Sequence, residues 1–568
     1  MPTRERLGHG MYDATRYRDY VEHQFTYRAG FQRNVRRFAS HIAMVDPPTG
    51  RQWTYRQLGA DVARLASALH DRGVGRGDRV VFQLPNVPEF ALSWLAAPEL
   101  GAIAAPINYR LAPGEIAHIL RDCEPGVVVV DAACSAVMAE ALDMVGGSRP
   151  RVIVADPGAT RTPDGLEAEL FDQVLASASG EVPPLPADVS TYDETTRLYT
   201  SGTTGMPKGV PLPSLVEVLS AHDVIMHFPL GPTDRTLNMT PWFHRGGLYS
   251  GGPNPCFYVG AGVVPMKAFN PATALDWVGE HQITFLIGAP TSLQMLAAEQ
   301  ERTPRDLSHL RGIVTMGAPL DRAAAVRYQE VLTPRIFNGY GTTEAFWNTF
   351  LRPEDLPAHA GTAGRACTDD DVAVVKMYDD RRAEPDDLAV QDGTEHGEII
   401  MRSPKSGFAY ANLPDVEEER FWGGWLYTGD VGTWDEDGFV TIVGRKDDMI
   451  ISGGENVHPV QVEEVLEEHP GVRESVVVGI PDEHWGQRVV AYVVPAEGAG
   501  ELDVAALDKH CRSHPRLAAF KRPRAYRFVD ELPHTATGKK IHYQVTEQAT
   551  QDAQEGTLTP TGTTDTHE

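Results

Sequence analysis

The sequence predicts an α/β protein: a large N-terminal domain of sheets and helices, followed by a smaller α+β C-terminal domain. Three observations carry this expectation. The chain has 568 residues, more than a single hydrophobic core organises, so at least two domains are expected. From about Trp53 to Ala132, and again over 283–319, helix-like and strand-like stretches alternate, which favours helices layered on a substantial sheet. Past Gly444 the pattern changes to a turn-rich stretch, a helix, two short strands and a further helix. Together they make a module of about 100 residues, at the low end of ordinary domain size.

In chain order, WTYRQLGADVARLASALHDRG (53–73) has apolar residues at helical spacing, with Gly73 placed to end the helix. DRVVFQLP predicts a strand and GVVVVDA (126–132) a fully buried one; ITFLIGAP (283–290) and RGIVTMGAP (311–319) resume the alternation. TRLYT predicts a short strand before the segment TSGTTGMPKG. After it, SLVE (214–217) has the form of a capping box, and Leu215, Val218, Leu219, His222 and Ile225 mark one helical face. PRIF predicts a strand before NGYGTTE. In the C-terminal module, PVQVEEVLEEH (459–469) and residues 503–514 predict helices, and ESVVVGI and RVVAYVV predict strands. The tail from Gln544 is rich in Thr, Gln, Gly and acids and is expected to be disordered. The expected domains are therefore 1–444, 445–543 and a tail of 544–568, without an internal repeat.

Composition excludes several function classes. With 42% hydrophobic and 23% charged residues the chain reads as an ordinary globular protein. A formal charge of −27 argues against a broad surface tracking the phosphates of DNA or RNA; a nucleotide held by a few local cations and amides is compatible with it. The five cysteines are far apart with no CxxC pair, so neither a zinc knuckle nor a disulfide framework is expected, and a reducing compartment is the default. The start, MPTRERLGHGMY, does not read as a signal peptide. The run Phe90 to Ile107 is broken by Pro98 and Glu99 and reads as core rather than a membrane span. The last residues, TDTHE, carry no peroxisomal or prenylation address. A cytoplasmic protein without a membrane partner is expected; oligomeric state is open, a homodimer included.

The most informative segment is Thr200 to Gly209. Gly202, Gly205 and Gly209 let the chain turn tightly and bring backbone N–H groups close to an anion. The hydroxyls of Thr200, Ser201, Thr203 and Thr204 add donors, and Lys208 adds a positive charge. It is not a Walker A loop, because Pro207 stands where that loop needs a glycine before the lysine. At average residue usage, the eight fixed positions of SGTTG-PKG should arise by accident in fewer than about one such chain in a million.

With these motifs the chain resembles the superfamily of adenylate-forming enzymes, which comprises acyl-CoA synthetases, nonribosomal adenylation domains and luciferases. Its motifs are closest to acyl- or aryl-CoA ligases, and the resemblance covers roughly Trp53 to Tyr543. It implies a large N-terminal domain, a small mobile C-terminal domain and an active site between them. It also implies ATP, Mg²⁺ and CoA as the small molecules handled beside an acid substrate.

By this resemblance, NGYGTTE supplies nucleotide-binding Asn338, Gly339, Tyr340, Gly341 and Thr342, with Tyr340 stacking on adenine and Asn338 reaching its edge. Thr343 contacts the α-phosphate and Glu344 holds magnesium, a hard cation that takes one or two carboxylates plus phosphate oxygens. Asp430 of YTGD accepts from the ribose hydroxyls, and Arg445 donates to ribose or phosphate. Asp447 marks the interdomain pivot in RKDDMIISGGEN, and Gly453 and Gly454 let the narrow pantetheine arm of CoA pass. Lys539 of TATGKK is the adenylation lysine, offsetting charge that builds as a carboxylate attacks phosphorus; Lys540 is read as a bystander.

For the acid pocket the resemblance points to Trp242, His244, Arg245, Gly246 and Gly247 of WFHRGG, with Gly317 and Ala318. His244 is expected to gate and orient rather than act as a base. Arg245 meets either a second polar group of the substrate or a solvent-facing salt bridge. The four small residues Gly246, Gly247, Gly317 and Ala318 allow room for a flat aromatic ring, and no Asp stands ready for an α-ammonium. Trp485 of DEHWGQ and Phe520 and Arg522 of FKRP read either as a CoA subsite, an aromatic ring on adenine and Arg522 on a phosphate, or as core packing and a basic turn. Two departures from the family pattern, GVPLPSL after Lys208 and RSPKSGFAYANLP (402–414), bear on the acceptor and the acyl pocket. The expected reaction is activation of a small acid as its adenylate and transfer to CoA. The rivals are a non-CoA acceptor (an amine, a carrier-protein thiol, or nitrite passed to an aryl amine) and a non-catalytic nucleotide-binding protein.

Overall fold

Valines 127–130 are buried on both faces, as strands inside a parallel sheet covered by helices must be. In the computed structural model they form strand Val127–Asp131, in a seven-stranded sheet ordered Pro207–Pro213, Glu194–Ser201, Ile103–Pro106, Arg79–Gln83, Val127–Asp131, Arg151–Ala155, Glu169–Leu170. All neighbours are parallel except the first pair, which is antiparallel. The structure describes residues 6–561 except 8–11, 148, 202–205, 319, 379, 447, 453–454, 483–484, 499–501, 515–516, 518–520 and 535–538.

Thr54 begins the helix Tyr55–Asp71 with a complete capping box to Gln57, and Gly73 follows its end at φ +90°. The run from Phe90 divides into helix Pro88–Glu99 and strand Ile103–Pro106, nearly all of it buried. Among the described residues no helix is long and apolar enough to cross a membrane.

A second, nine-stranded sheet runs Arg365–Ala366, Phe346–Leu351, Ile336–Thr342, Gly312–Met316, Phe285–Gly288, Arg235–Asn238, Gly262–Val263, Ile42–Asp46, Arg51–Thr54. Six consecutive strands of it, from Ile336–Thr342 to Ile42–Asp46, are parallel. Their carboxyl ends carry Asn238, Gly288, Thr315 and Asn338, the end at which open α/β sheets receive ligands.

The expected capping box at 214–217 does not form. Ser214 Oγ accepts instead from the Tyr27 N–H at 2.9 Å, while Glu217 turns inward to accept from Tyr249 Oη at 2.7 Å and Asn254 Nδ2 at 2.8 Å. The expected helix face shifts too. Helix Ser214–His227 buries Ser214, Glu217, Ser220, Asp223 and His227 with its small apolar residues, and leaves Leu215, Leu219, His222 and Ile225 half-buried. Tertiary hydrogen bonds have claimed the polar groups that the local pattern assigned to the helix end.

The chain clusters into two compact units, Met1–Val372 with Met401–Leu426, and Ala373–Ile400 with Tyr427–Glu568. This differs from the boundary expected at residue 444, because the antiparallel pair Trp425–Trp434 and Val440–Arg445 holds residues 427–444 together with Arg445.

The second unit contains a six-stranded sheet around Gly486–Pro495, which pairs with Val472–Asp482 and Ala525–Phe528. Alternate residues divide between its faces. Val477, Val489, Ala491 and Val493 pack with residues of helices Pro459–Glu467 and Val504–Ser513, while Val476, Val478, Val490 and Tyr492 pack with Val545 and Ala549. Those last two lie on helix His542–Glu555, so the tail expected to be disordered from 544 is helical to 555. Its composition is polar, but two apolar residues four apart and a buried Asp552 suffice to cover the second face.

Candidate active site

The glycine-rich segment lies at the tip of a β-hairpin. Thr200 stands opposite Lys208 and Ser201 opposite Pro207, both pairs antiparallel, so a second strand separates the loop from helix Ser214–His227. Gly202, Thr203, Thr204 and Gly205 lie outside the described residues, as does the Ser201 side chain. Lys208 is half-buried. The returning strand is clasped by the 402–412 segment: Ala411 N–H donates to Gly209 O at 2.8 Å, and a Cβ on Gly407 would lie 2.3 Å from Pro211 O.

The motif 338–344 is itself mostly strand. Ile336–Thr342 continues past the expected PRIF through Thr342 and turns into the antiparallel Phe346–Leu351. The turn is tight: Phe346 sits at φ +67°, and a Cβ on Gly341 would fall 1.6 Å from Phe346 O, so only glycine fits there. Asn338 is buried, and its Oδ1 has no hydrogen-bond donor among the described residues; an unsatisfied buried acceptor suits an amino group brought by a ligand. Tyr340 and Thr343 are half-buried. Glu344 is buried, and Tyr410 Oη donates to its Oε1 at 2.5 Å. Among the described residues no cation forms a hydrogen bond or ion pair with Glu344, though the Arg245 charge acts on it from farther off, and a carboxylate oxygen is the donor chemistry that magnesium prefers.

Residues 242–247, expected to line the acid pocket, are shaped by two asparagines. Asn86 accepts from the Trp242 N–H at 2.8 Å and donates to Thr240 O at 3.0 Å; Asn238 donates to Gly247 O at 3.0 Å and Ser250 O at 2.9 Å. Trp242 is buried edge-on to Phe90. His244, half-buried, stands at the N-cap of helix Arg245–Tyr249 with its ring 4.3 Å from that of Phe243. The expectation of room at both glycines fails: a Cβ on Gly247 would lie 1.9 Å from Pro241 O, and one on Gly246 would lie 3.0 Å from Met316 Sδ. Gly247 serves the turn and Gly246 the packing. Gly317, at φ +89°, does face open space, with half-buried Ala318 beside it.

Arg245 fits neither expectation. It is 3% exposed, and its guanidinium donates to Thr343 O at 2.6 Å, Lys405 O at 2.7 Å and Ser220 Oγ at 3.3 Å. Burial lowers it to about 10, against the opposing pull of Tyr249, Glu217 and Glu344. Lys405, also buried, lies 2.9 Å from Asp223 and 2.7 Å from Asp370. Asp223, His227 and Cys367 have ligand atoms within 4.8 Å of one another. His227 Nδ1 accepts from Arg352 at 3.0 Å, which leaves its Nε2 to carry the proton toward Asp223 Oδ1 at 3.3 Å, and Asp223 also carries Lys405. The cluster is a buried ion-pair network rather than a metal site.

In the second unit, Asp430 and Arg445 are register partners, with Arg445 Nη1 donating to Asp430 Oδ1 at 2.6 Å. Lys539 joins them. Although the residue is exposed overall, desolvation of its ammonium pushes it below the ordinary lysine value; Asp430 pulls it back up and Arg445 pushes further down. Lys540 is no bystander: it bonds Glu463 at 3.1 Å and Glu467 at 2.7 Å, anchoring this end of the loop to helix Pro459–Glu467.

Asp447, Gly453, Gly454 and Phe520 lie outside the described residues. Arg522 is buried, with Nε donating to Asp508 Oδ1 at 2.9 Å, which engages the guanidinium proposed for a CoA phosphate. Arg524, not singled out from sequence, lies 5.2 Å over the half-buried Trp485 ring. Sequence reasoning also missed Asn86, Asn238, Lys405 and Tyr410. Only the last two had a signal, lying in the segment 402–414 that departs from the family pattern.

Comparison with known proteins gives a consistent result. Residues 31–410 match the family model of AMP-binding enzymes, and residues 461–539 that of the AMP-binding enzyme C-terminal domain. Feruloyl-CoA synthase of Amycolatopsis sp is 34% identical over 498 residues, 87% of this chain and 94% of that one. Indoleacetate–CoA ligase of Aromatoleum aromaticum is 34% identical over 490 residues, 86% and 92% of the two chains. The crystal structure of an anthranilate CoA ligase in complex with anthranoyl-AMP superposes with a TM-score of 0.83 at 28% identity, covering 94% of this chain and 98% of that one.

Proposed function

The chain belongs to the AMP-binding enzyme family and is an AMP-forming acid–CoA ligase, and from that premise we propose that its acid is a small aromatic one. Three relatives named for feruloyl, indoleacetate and anthranilate chemistry support an aromatic substrate.

In the first step an oxygen of the acid's carboxylate attacks the α-phosphorus of ATP, the α–β phosphoanhydride bond breaks, and pyrophosphate leaves. Thr200 and Lys208 flank the loop assigned to the leaving phosphates, and Asn338 offers its unsatisfied Oδ1 to the adenine amino group. Magnesium, held through Glu344, would neutralise phosphate charge when bound. Lys539 offsets the charge that builds at the α-phosphate, while Asp430 and Arg445 orient the ribose. In the second step the CoA sulfur attacks the acyl carbonyl, AMP departs and the thiol proton is released to water. Lys539 has no part in that step, so the family's alternation about Asp447 serves to withdraw it.

The observation that supports the adenylation step is that the Arg445–Asp430 pair acts electrostatically on Lys539, a residue distant in sequence. The test is ATP–pyrophosphate exchange over aromatic, short-chain and inorganic acids, followed by AMP release with CoA or with nitrite plus an aryl amine. Aromatic acids are expected to support exchange, and CoA to drive AMP release. Lys539→Ala should lower exchange by about two orders of magnitude and largely spare thioester formation from supplied acyl-AMP. Equal loss of both half-reactions would remove Lys539 from its role.

A further inference from the structure

We propose that Arg245 is a positioning residue that, together with Lys405 and Tyr410, fixes Glu344 for the magnesium–nucleotide; this rests on the reading of Glu344 given above.

Arg245 is an expensive group to place in a protein interior. Removing a cation from water costs several kcal/mol, and among the described residues no carboxylate forms a hydrogen bond or ion pair with it. Its bonds go to two backbone carbonyls and a hydroxyl, with the rings of Tyr249 and Phe346 at 5.3 and 5.6 Å. An apolar side chain could fill the same space at lower cost. A planar fork with donors in fixed directions does something an apolar group cannot: it ties two separate stretches of backbone to each other.

Those two stretches converge on Glu344. The first carbonyl belongs to Thr343, and its peptide group leads directly into Glu344. The second belongs to Lys405, whose ammonium is locked between Asp223 and Asp370 and donates to Trp347 O at 2.9 Å. Trp347 lies on the far strand of the Glu344 hairpin, opposite Gly341. Five residues after Lys405, Tyr410 reaches back and donates to Glu344 Oε1 at 2.5 Å. Glu344 is therefore held at its backbone through Thr343 and at its side chain through Tyr410, and both holds fasten to the same 402–412 segment. One carboxylate oxygen is taken by the phenol. The other is left to face a cation in a fixed orientation, the arrangement by which groups around a ligand tune metal affinity.

The test uses the full-length protein and a fluorescent ATP analogue, mant-ATP, whose binding is followed as Mg²⁺ is titrated; the acid need not be known. Wild type, Tyr410→Phe and Arg245→Lys are compared, with thermal melting as a control for folding. Tyr410→Phe and Arg245→Lys are expected to raise the Mg²⁺ concentration for half-maximal binding by about 10-fold, with metal-free mant-ATP binding and melting close to wild type. Arg245→Lys keeps the charge but loses the fork, so wild-type magnesium affinity in that variant would overturn the bridging role. An unchanged titration in Tyr410→Phe would overturn the inference as a whole. Equal losses of metal-free and magnesium-dependent binding would reduce Arg245 to a structural residue and overturn it likewise. Should Arg245→Lys fail to fold, Tyr410→Phe, which deletes one hydroxyl, still decides. If wild type itself bound mant-ATP without regard to magnesium, the metal role of Glu344 would fall first; a magnesium-dependent wild type with unaffected variants would sink this inference alone.

Discussion

Glu217 shows how far a residue's surroundings govern its chemistry. Desolvation raises its carboxyl from 4.5 to about 7, against the lowering effect of hydrogen bonds from Thr196, Tyr249 and Asn254 and of the Arg245 charge. An acid whose folded pKa exceeds its unfolded one contributes stability that is complete below about 4.5 and lost as the pH rises through about 7. The gap corresponds to roughly 3 kcal/mol. Glu89, likewise raised by burial to about 7, contributes a slope of the same sign. The expected result is that, between pH 5 and 8, the melting temperature of Glu217→Gln rises relative to that of wild type as the pH is raised, because this one slope is removed. Parallel melting curves for the two proteins would show that Glu217 titrates normally. A sequence window reads Glu217 as the third position of a capping box because the spacing fits; only the fold supplies Tyr249 and Asn254. The partners of Arg522 and Lys540 are hidden from a sequence window for the same reason, since Asp508, Glu463 and Glu467 are brought to them by tertiary packing. Asp430 and Arg445, each carried by a motif in the sequence, are brought side by side by the pairing of their strands.

At the scale of elements, regular periodicity was the reliable guide. Helix Tyr55–Asp71 and strands Val127–Asp131, Phe285–Gly288 and Gly312–Met316 lie where their apolar spacing puts them. Helix His542–Glu555 does not follow from composition, because the sheet it covers determines it. Val476, Val478, Val490 and Tyr492 form a face that would be wet without Val545 and Ala549. Asp552 completes the dock, accepting from Tyr492 Oη and pairing with Arg527 at 3.0 Å. Truncation after Tyr543 should therefore destabilise the second unit by roughly 3–5 kcal/mol, as expected from exposing several apolar side chains and breaking a largely buried ion pair. Urea unfolding followed by tryptophan fluorescence, together with binding of a hydrophobic dye, measures it. A truncated protein with wild-type unfolding and no added dye binding would mean the helix is dispensable.

Across the whole molecule, the fold class and the nucleotide motifs were legible because phosphate chemistry demands particular residues at fixed spacing. The room expected at residues 246 and 247 was not there, because Gly247 answers to the Pro241 carbonyl and Gly246 to the Met316 side chain. Missing side chains therefore did not translate into empty volume. The same separation between nucleotide chemistry and everything around it gives the molecule's strongest functional prediction. In the proposed mechanism the Lys539 ammonium acts on the α-phosphate during adenylation and is withdrawn before the thiol attacks, so the two half-reactions should fail separately. If Asp447 is the pivot, Asp447→Pro, which fixes φ near −65°, should leave ATP–pyrophosphate exchange close to wild type. It should slow CoA-dependent AMP release by about 100-fold, the scale of a misplaced reacting group. Lys539→Ala should give the mirror image, slow exchange with thiol transfer spared. Rapid-quench measurement of the two half-reactions separates these outcomes, and parallel loss of both steps in Asp447→Pro would mean that residue 447 supports the fold and does not divide the cycle.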